Sequence, residues 1–273
     1  MYILVYGNKP SLPALPAEMI RLLTTGQAVF ETILYSENQL WFWEKHEQRL
    51  LKTLTLFNAT LQQEALKHSV LSFLRGRKIR TARVKLCFVF PFDQQPKQLS
   101  EEQALLQIEE IPEMNYGKQE AKLISKEFAC SGDELLTGFK TINYGRRFYD
   151  LGRARQQGFD DVLYTDGEGW LLETAIANVF AVKGKNIYTP PEKNGVFPGI
   201  IRTLLIEYLN VREGKMHLDE VDGYDYLFLG NSIKELVFIE QINNKSFQRG
   251  TGHFDWLREK WEKIKSDYKK TNL

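Results

Sequence analysis

The run Gly138-Phe139-Lys140-Thr141-Ile142-Asn143-Tyr144 sets a lysine between a glycine, an aromatic ring and a short polar loop. An amine desolvated in such a setting loses its proton often enough to attack a carbonyl and form a Schiff base. Thirty-three residues on, Glu173 interrupts the apolar stretch Leu171–Phe180. A carboxylate buried there needs a cationic partner, which a protonated ring nitrogen would supply. Phe197-Pro198-Gly199-Ile200-Ile201-Arg202 reads as a helix opening on Pro–Gly, whose first amides make a ready anion site. Arg49 on an earlier helix, and Gly230-Asn231-Ser232 after the strand-like YLFL, are further candidate phosphate partners. Each alone has an ordinary explanation: a solvated lysine, an edge carboxylate, a helix start, a surface charge, a turn.

Other chemistries find no support. His46, His68, His217 and His253 lack paired-ligand spacing, so no metal site is expected, and His46-Glu47-Gln48-Arg49-Leu50 is not a zinc-protease motif. Gly167-Glu168-Gly169 reads as a hairpin turn, without the third glycine and helix of a dinucleotide fingerprint. There is no phosphate-binding loop of the Walker type. Lysines and arginines number 36 against 35 acidic residues, a net charge of +1, which excludes a strong field for nucleic acid or anionic membrane. The basic tail (Lys263, Lys265, Lys269, Lys270) is balanced by Glu259, Glu262 and Asp267 and reads as a solvated helix face. Two cysteines, Cys87 and Cys130, make no disulfide framework and read as reduced, buried thiols. With no membrane-length apolar run and no signal-peptide layout in MYILVYGNKP, a cytoplasmic globular protein is expected.

The elements that must carry these residues alternate between strand and helix, as in an α/β or α+β protein. In a chain of 273 residues there is room for two modest domains. Strands are expected at 2–6, 29–34 and 80–90. Helices are expected at 44–57, where Leu50, Leu51, Leu54 and Phe57 recur at helical spacing, and at 62–75. Pro112, Asn115 and Gly117 mark a break. The division is therefore an N-terminal domain over 1–112, a linker over 113–119 and a larger C-terminal domain over 120–273 that holds Lys140. Within the latter, a helix over 144–157 ends at Gly158, a hairpin turns at Asp166–Gly169, two short strands follow, and helices lie at 198–209 and along the Phe254–Tyr268 stripe.

Taken in order, Phe30-Glu31-Thr32, His46-x-x-Arg49-Leu50, Lys140-Thr-x-Asn-Tyr144, Glu173-x-x-x-x-Asn178-x-Phe180 and Gly199-x-x-Arg202 resemble the class IV aminotransferases, the fold-type IV pyridoxal-phosphate enzymes. That family includes branched-chain and D-amino-acid aminotransferases and 4-amino-4-deoxychorismate lyase. The resemblance runs from about residue 26 to 232. It implies a two-domain, D-amino-acid aminotransferase-like fold, a homodimer, a small amino substrate and pyridoxal 5'-phosphate held by Lys140. It also implies that Glu173 pairs with the pyridine nitrogen. Arg49, Gly199, the amides of Ile200 and Ile201, and Asn231 with Ser232 would serve the phosphate. Tyr144 would stand near the cofactor hydroxyl, with Asn178 among the cofactor residues. Phe30, Thr32, Arg83 and Lys85 would face the substrate.

The reaction within the family is less legible. Arg83-Val84-Lys85 stands where branched-chain enzymes carry Tyr-x-Arg, and PFDQQPKQLSEE lacks the Arg-x-His carboxylate trap of the D-amino-acid branch. Compact length, the short lysine loop and an Arg83–Lys85 pair suited to two carboxylates are more similar to the lyase, which releases pyruvate and 4-aminobenzoate for folate synthesis. The Arg-Gly often found after this strand in lyases is Phe90-Pro91 here. Amino-acid transamination is the alternative. A binding module that has lost its chemistry is a third, opposed by the retained Lys140 and Glu173.

Overall fold

The computed structural model describes residues 1–6, 14–62, 65–111, 120–128, 138–249 and 253–271. The expected linker over 113–119 and Cys130 lie outside them. The chain divides into two compact units, one of residues 1–116 with Phe139–Tyr144, the other of 117–138 with Gly145–Leu273.

The first unit holds β1 (Tyr2–Tyr6), α1 (Ala17–Thr24), β2 (Ala28–Ser36), β3 (Gln39–Leu40), α2 (Trp43–Leu56), β4 (Ala59–Leu61), α3 (Leu66–Gly76), β5 (Ala82–Val89), β6 (Lys97–Leu99) and β7 (Ala104–Glu110). Five strands form a sheet in the order β1-β7-β5-β2-β3, while β4 and β6 pair separately. Glu37 and Asn38, both at positive φ, turn β2 back into β3. Because side chains alternate along β2, Val29, Ile33 and Tyr35 face the core, which α2 and α3 cover with Leu50, Leu54, Val70 and Leu74. Phe30 points the other way, packing with Cys87 and Leu105. The second expected helix starts at Leu66 rather than 62, because Gln62 still follows the β4–β6 ladder, its N–H donating to the Leu99 carbonyl.

The second unit holds β8 (Glu120–Glu127), α4 (Gly145–Gln156), β9 (Asp161–Thr165), β10 (Leu171–Thr174), β11 (Asn178–Lys183), β12 (Asn186–Thr189), α5 (Ile200–Leu209), β13 (Arg212–Glu213), β14 (Tyr226–Asn231), β15 (Glu235–Ile242), β16 (Lys245–Ser246) and α6 (His253–Thr271). The sheet runs β10-β9-β8-β15-β14-β11-β12-β13, and a further β10–β11 pairing closes six of these strands into a ring. Leu123, Leu163, Val179, Leu229, Val237 and Ile239 belong to one core cluster of this unit. Val162 and Tyr164, alternating with Leu163 along β9, pack against Leu151 and Ala154 of α4.

The sequence puts Lys140 within the C-terminal stretch, yet its segment joins the first unit. The Phe30 amide donates to the Lys140 carbonyl (2.8 Å), the Ile142 amide to the Ala28 carbonyl (3.0 Å), and Val29 and Thr141 form a β-bridge. These backbone bonds extend the rim of β2 and hold the lysine there.

Candidate active site

In the first unit, Lys140 is half-buried and its Nζ lies 4.7 Å from the centre of the Phe30 ring and 5.5 Å from that of Tyr144. The two rings meet edge-on, 5.4 Å apart at 73°. Lys85 approaches the same Phe30 ring, its Nζ 4.2 Å from the centre. The β2–β5 register makes this unavoidable: Phe30 pairs with Cys87 and Thr32 with Lys85, so all four side chains share one sheet face. Burial pushes the Cys87 thiol up to about 11, despite the opposing pull of the Lys85 charge. Arg83, two residues along, is exposed and donates to Glu109 at 2.8 Å. The structure thus gathers Phe30, Thr32, Lys85, Lys140 and Tyr144, and ties Arg83 to another partner.

Glu31 faces the helical side. Its carboxylate is 1% exposed and accepts from Arg49 Nε (2.8 Å) and from the second guanidinium nitrogen (2.5 Å), and lies 2.7 Å from His46 Nδ1. Burial alone would raise the Glu31 pKa; the Arg49 charge and the bonds from Arg49 and His46 outweigh it and hold the carboxyl down at about 2. Burial pulls the His46 pKa below its ordinary value, against the bond to Glu31, so the ring is a neutral donor rather than half of an ion pair. Arg49 is therefore oriented by a bidentate carboxylate. His46, weighed in the sequence as a metal ligand and as part of the His46-x-x-Arg49 motif, is the second support.

In the second unit Glu173, Asn178 and Gly230 stand in register across β10, β11 and β14. Glu173 is 4% exposed. Its Oε1 accepts from Arg147 (2.7 Å), and its Oε2 accepts from the Phe197 amide (3.1 Å) and Asn178 Nδ2 (3.3 Å). Asn178 Nδ2 also donates to the Phe197 carbonyl at 2.9 Å, fixing the loop that enters α5. Ile200 and Ile201 form the first turn of α5, where backbone amides have no intrahelical acceptor. Asn231 ends β14 and Ser232 follows it, but Asn231 Oδ1 is engaged by the Ile233 and Lys234 amides (3.0 and 2.8 Å), closing its own turn. Arg202 is 1% exposed and clamps Glu192 (2.7 Å) and Glu213, tying α5 to the segments on either side.

Arg147 escaped the sequence reading. Its signal was there: a buried Glu173 demands a cation, and Arg146-Arg147 occupies the first turn of a helix, where the macrodipole disfavours positive charge. Among the described residues no group of three or more His, Cys, Asp or Glu is placed to hold a metal ion.

A family model for the class IV aminotransferases matches residues 28–242. The chain belongs to the class IV aminotransferase family. Its fold is that of pyridoxal-phosphate enzymes. A Legionella pneumophila protein, solved as a candidate 4-amino-4-deoxychorismate lyase, superposes with a TM-score of 0.80 at 20% identity, covering 97% of this chain and 100% of that one. A hypothetical aminotransferase from Mycobacterium tuberculosis, solved with pyridoxal phosphate bound, gives 0.80 at 18% identity, covering 95% and 96%. In sequence, a candidate branched-chain-amino-acid aminotransferase of Methanocaldococcus jannaschii is 25% identical over 90% of both chains. Branched-chain aminotransferases from hop and Arabidopsis reach 37% and 38% identity, but the chain spans only 24% and 29% of their length.

The residues of this class IV aminotransferase fit the cofactor. Glu173 receives three donors among the described residues, against a carboxylate capacity of about four, leaving room for one cationic N–H. At the head of α5, a Cβ on Gly199 would lie 2.0 Å from Asn178 Oδ1 and one on Gly230 would lie 3.0 Å from Ile201 Cγ2, so both are held to glycine beside the helix amides.

Proposed function

We propose that this class IV aminotransferase uses Lys140 to hold pyridoxal phosphate and to carry the proton at the amine-bearing carbon of a carboxylate-containing substrate. The observation that carries this reading is the pair of lysines on one ring, with Lys140 and Lys85 4.7 and 4.2 Å from the centre of Phe30. The cofactor, when bound, supplies the carbonyl and the electron sink. Lys140 Nζ then takes a proton from the substrate carbon and returns it. Lys85 holds a substrate carboxylate, Phe30 and Tyr144 wall the lysine with aromatic surface, and Thr32 sits beside Lys85 as a hydrogen-bonding group. Glu173 keeps the ring nitrogen protonated. The first amides of α5, with Gly199, Ser232 and Arg49, receive the phosphate.

The preferred reaction is that of a 4-amino-4-deoxychorismate lyase, releasing pyruvate and 4-aminobenzoate. The flat Phe30 ring with Lys85 over it suits a cyclic substrate that carries a carboxylate. Amino-acid transamination is favoured by a different observation: Glu109 engages Arg83, leaving Lys85 as the strand's cation beside Phe30 and suiting a substrate with one carboxylate there. The expected assembly is a homodimer.

Reconstitution with pyridoxal phosphate, followed by L- and D-amino acids and then aminodeoxychorismate, separates these readings. An amino acid that abolishes the visible band of the lysine-bound cofactor and yields a keto acid marks a transaminase. A band that survives the panel, with 4-aminobenzoate formed from aminodeoxychorismate, marks the lyase. Borohydride-stable labelling of Lys140→Ala would place the covalent attachment elsewhere and overturn both.

A further inference from the structure

We infer that Arg147 is a positioning residue for Glu173, sharing the buried carboxylate's charge and thereby setting how tightly the cofactor's ring nitrogen keeps its proton. This rests on the proposed pairing of Glu173 with that nitrogen. The guanidinium is held at two successive residues of β10: one nitrogen donates to Glu173 Oε1 at 2.7 Å, the other to the Thr174 carbonyl at 3.1 Å. Its plane is backed by aromatic rings, 5.5 Å from the centre of Phe128 and 5.7 Å from that of Tyr164. The bond to the Thr174 carbonyl fixes the guanidinium, and with it the nitrogen that meets Glu173 Oε1.

The neighbouring charged groups have other partners. Arg146 lies over Phe128 at 4.4 Å. Asp150, one turn along α4, accepts from Lys126 and from the Tyr164 hydroxyl. Asp161 accepts from the Val162 and Ala175 amides. Among the described residues, Arg147 is thus the cation bonded to Glu173. A positive charge beside an acid–base pair favours loss of the shared proton. Arg147 therefore competes with the ring nitrogen for the carboxylate and loosens the nitrogen's proton. The placement costs helix stability, since Arg147 stands in the first turn of α4, where the helix dipole opposes a cation. The Glu173 contact offsets that cost.

The test is the ring-nitrogen signal of holoenzyme carrying 15N-labelled pyridoxal phosphate, followed by NMR against pH. In Arg147→Gln the midpoint should rise by about one pH unit or more, a tenfold gain in proton affinity. Arg147→Lys, which keeps the charge, should return it toward wild type. Should the glutamine variant fail to fold, Arg147→Met keeps the apolar stem against Phe128 and Tyr164. A merely structural role would leave the nitrogen signal unmoved. An unchanged or lower midpoint without Arg147, or a wild-type nitrogen that never releases its proton while the protein is folded, overturns the inference. Glu173→Gln separates the two levels: if it changes the signal while Arg147→Gln does not, the pairing stands and the inference falls. If Glu173→Gln leaves the signal at wild type, the pairing itself is wrong.

Discussion

Gly199 and Asn178 pack so closely that a methyl group on the glycine would fall 2.0 Å from Asn178 Oδ1. Asn178 cannot simply turn away, because its amide also holds the Phe197 carbonyl and Glu173. Gly199→Ala should therefore displace the entry to α5, cost about 1–3 kcal/mol in stability, and weaken pyridoxal-phosphate binding by tenfold or so. Urea unfolding and cofactor titration check the two parts.

Lys85 should act on binding more than on turnover. Lys85→Met keeps the apolar stem over Phe30 but removes one charge-assisted bond, of about 1.5–3 kcal/mol, from a substrate carboxylate. KM for the native substrate should rise roughly 10–100-fold with a smaller change in kcat. Steady-state kinetics with a substrate lacking that carboxylate should show no difference between the two proteins.

Acid should weaken the first unit in two stages. His46 has a folded pKa below its unfolded value, so the unfolded chain takes up protons first, and stability falls as pH drops below about 6.5. Glu31, held at about 2 against an ordinary 4.5, contributes fully above 4.5 and loses its contribution, a few kcal/mol in order of magnitude, as pH falls toward 2. In Glu31→Gln, Arg49 loses its anionic partner at a buried site, a loss of about 3–5 kcal/mol, and the second stage should disappear. Chemical denaturation across pH measures both.

Asp161 should behave oppositely. Burial lifts its carboxyl to about 6, against the bonds from Thr174 and two backbone amides, so the folded protein holds a proton that the unfolded chain releases above about 3.8. Stability from this group declines as pH rises from about 3.8 to 6. Asp161→Asn keeps the Oδ1 that receives the Val162 and Ala175 amides. It should raise the urea midpoint at pH 7–8 and lose that advantage near pH 4.

Periodicity and turn chemistry made most elements legible. The leucine spacing of 44–57 became α2 at Trp43–Leu56, and the tail stripe became α6 at His253–Thr271. The Asp166–Gly169 turn joins β9 to β10, with Gly169 at φ +85°. α1 escaped notice because it spans only eight residues, with a proline before it and threonines at its end. β8 escaped because lysines and glutamates interrupt its apolar alternation. The lysine and glutamate of the candidate site each look ordinary alone and stand out through the order and spacing of the motifs around them. Arg147 does not, since its unfavourable place in a helix's first turn points to no particular carboxylate until the strand it meets is known. Lys140's membership of the first unit rests on backbone bonds to Ala28 and Phe30, which carry no side-chain signature.

Those backbone bonds have a consequence for how the protein is born. β2 leaves the ribosome long before the segment that must dock on it; Asn143 reaches back 117 residues to the Gly26 carbonyl. At typical translation speeds the interval is roughly 5–20 s, ample for the N-terminal sheet to form first. That sheet then waits as a template for a late-arriving ribbon, and Lys140 is brought to its rim only as the second unit is being made. A nascent chain stalled short of Phe139 would have the strands of the first sheet but lack the segment that completes the first unit at the rim of β2.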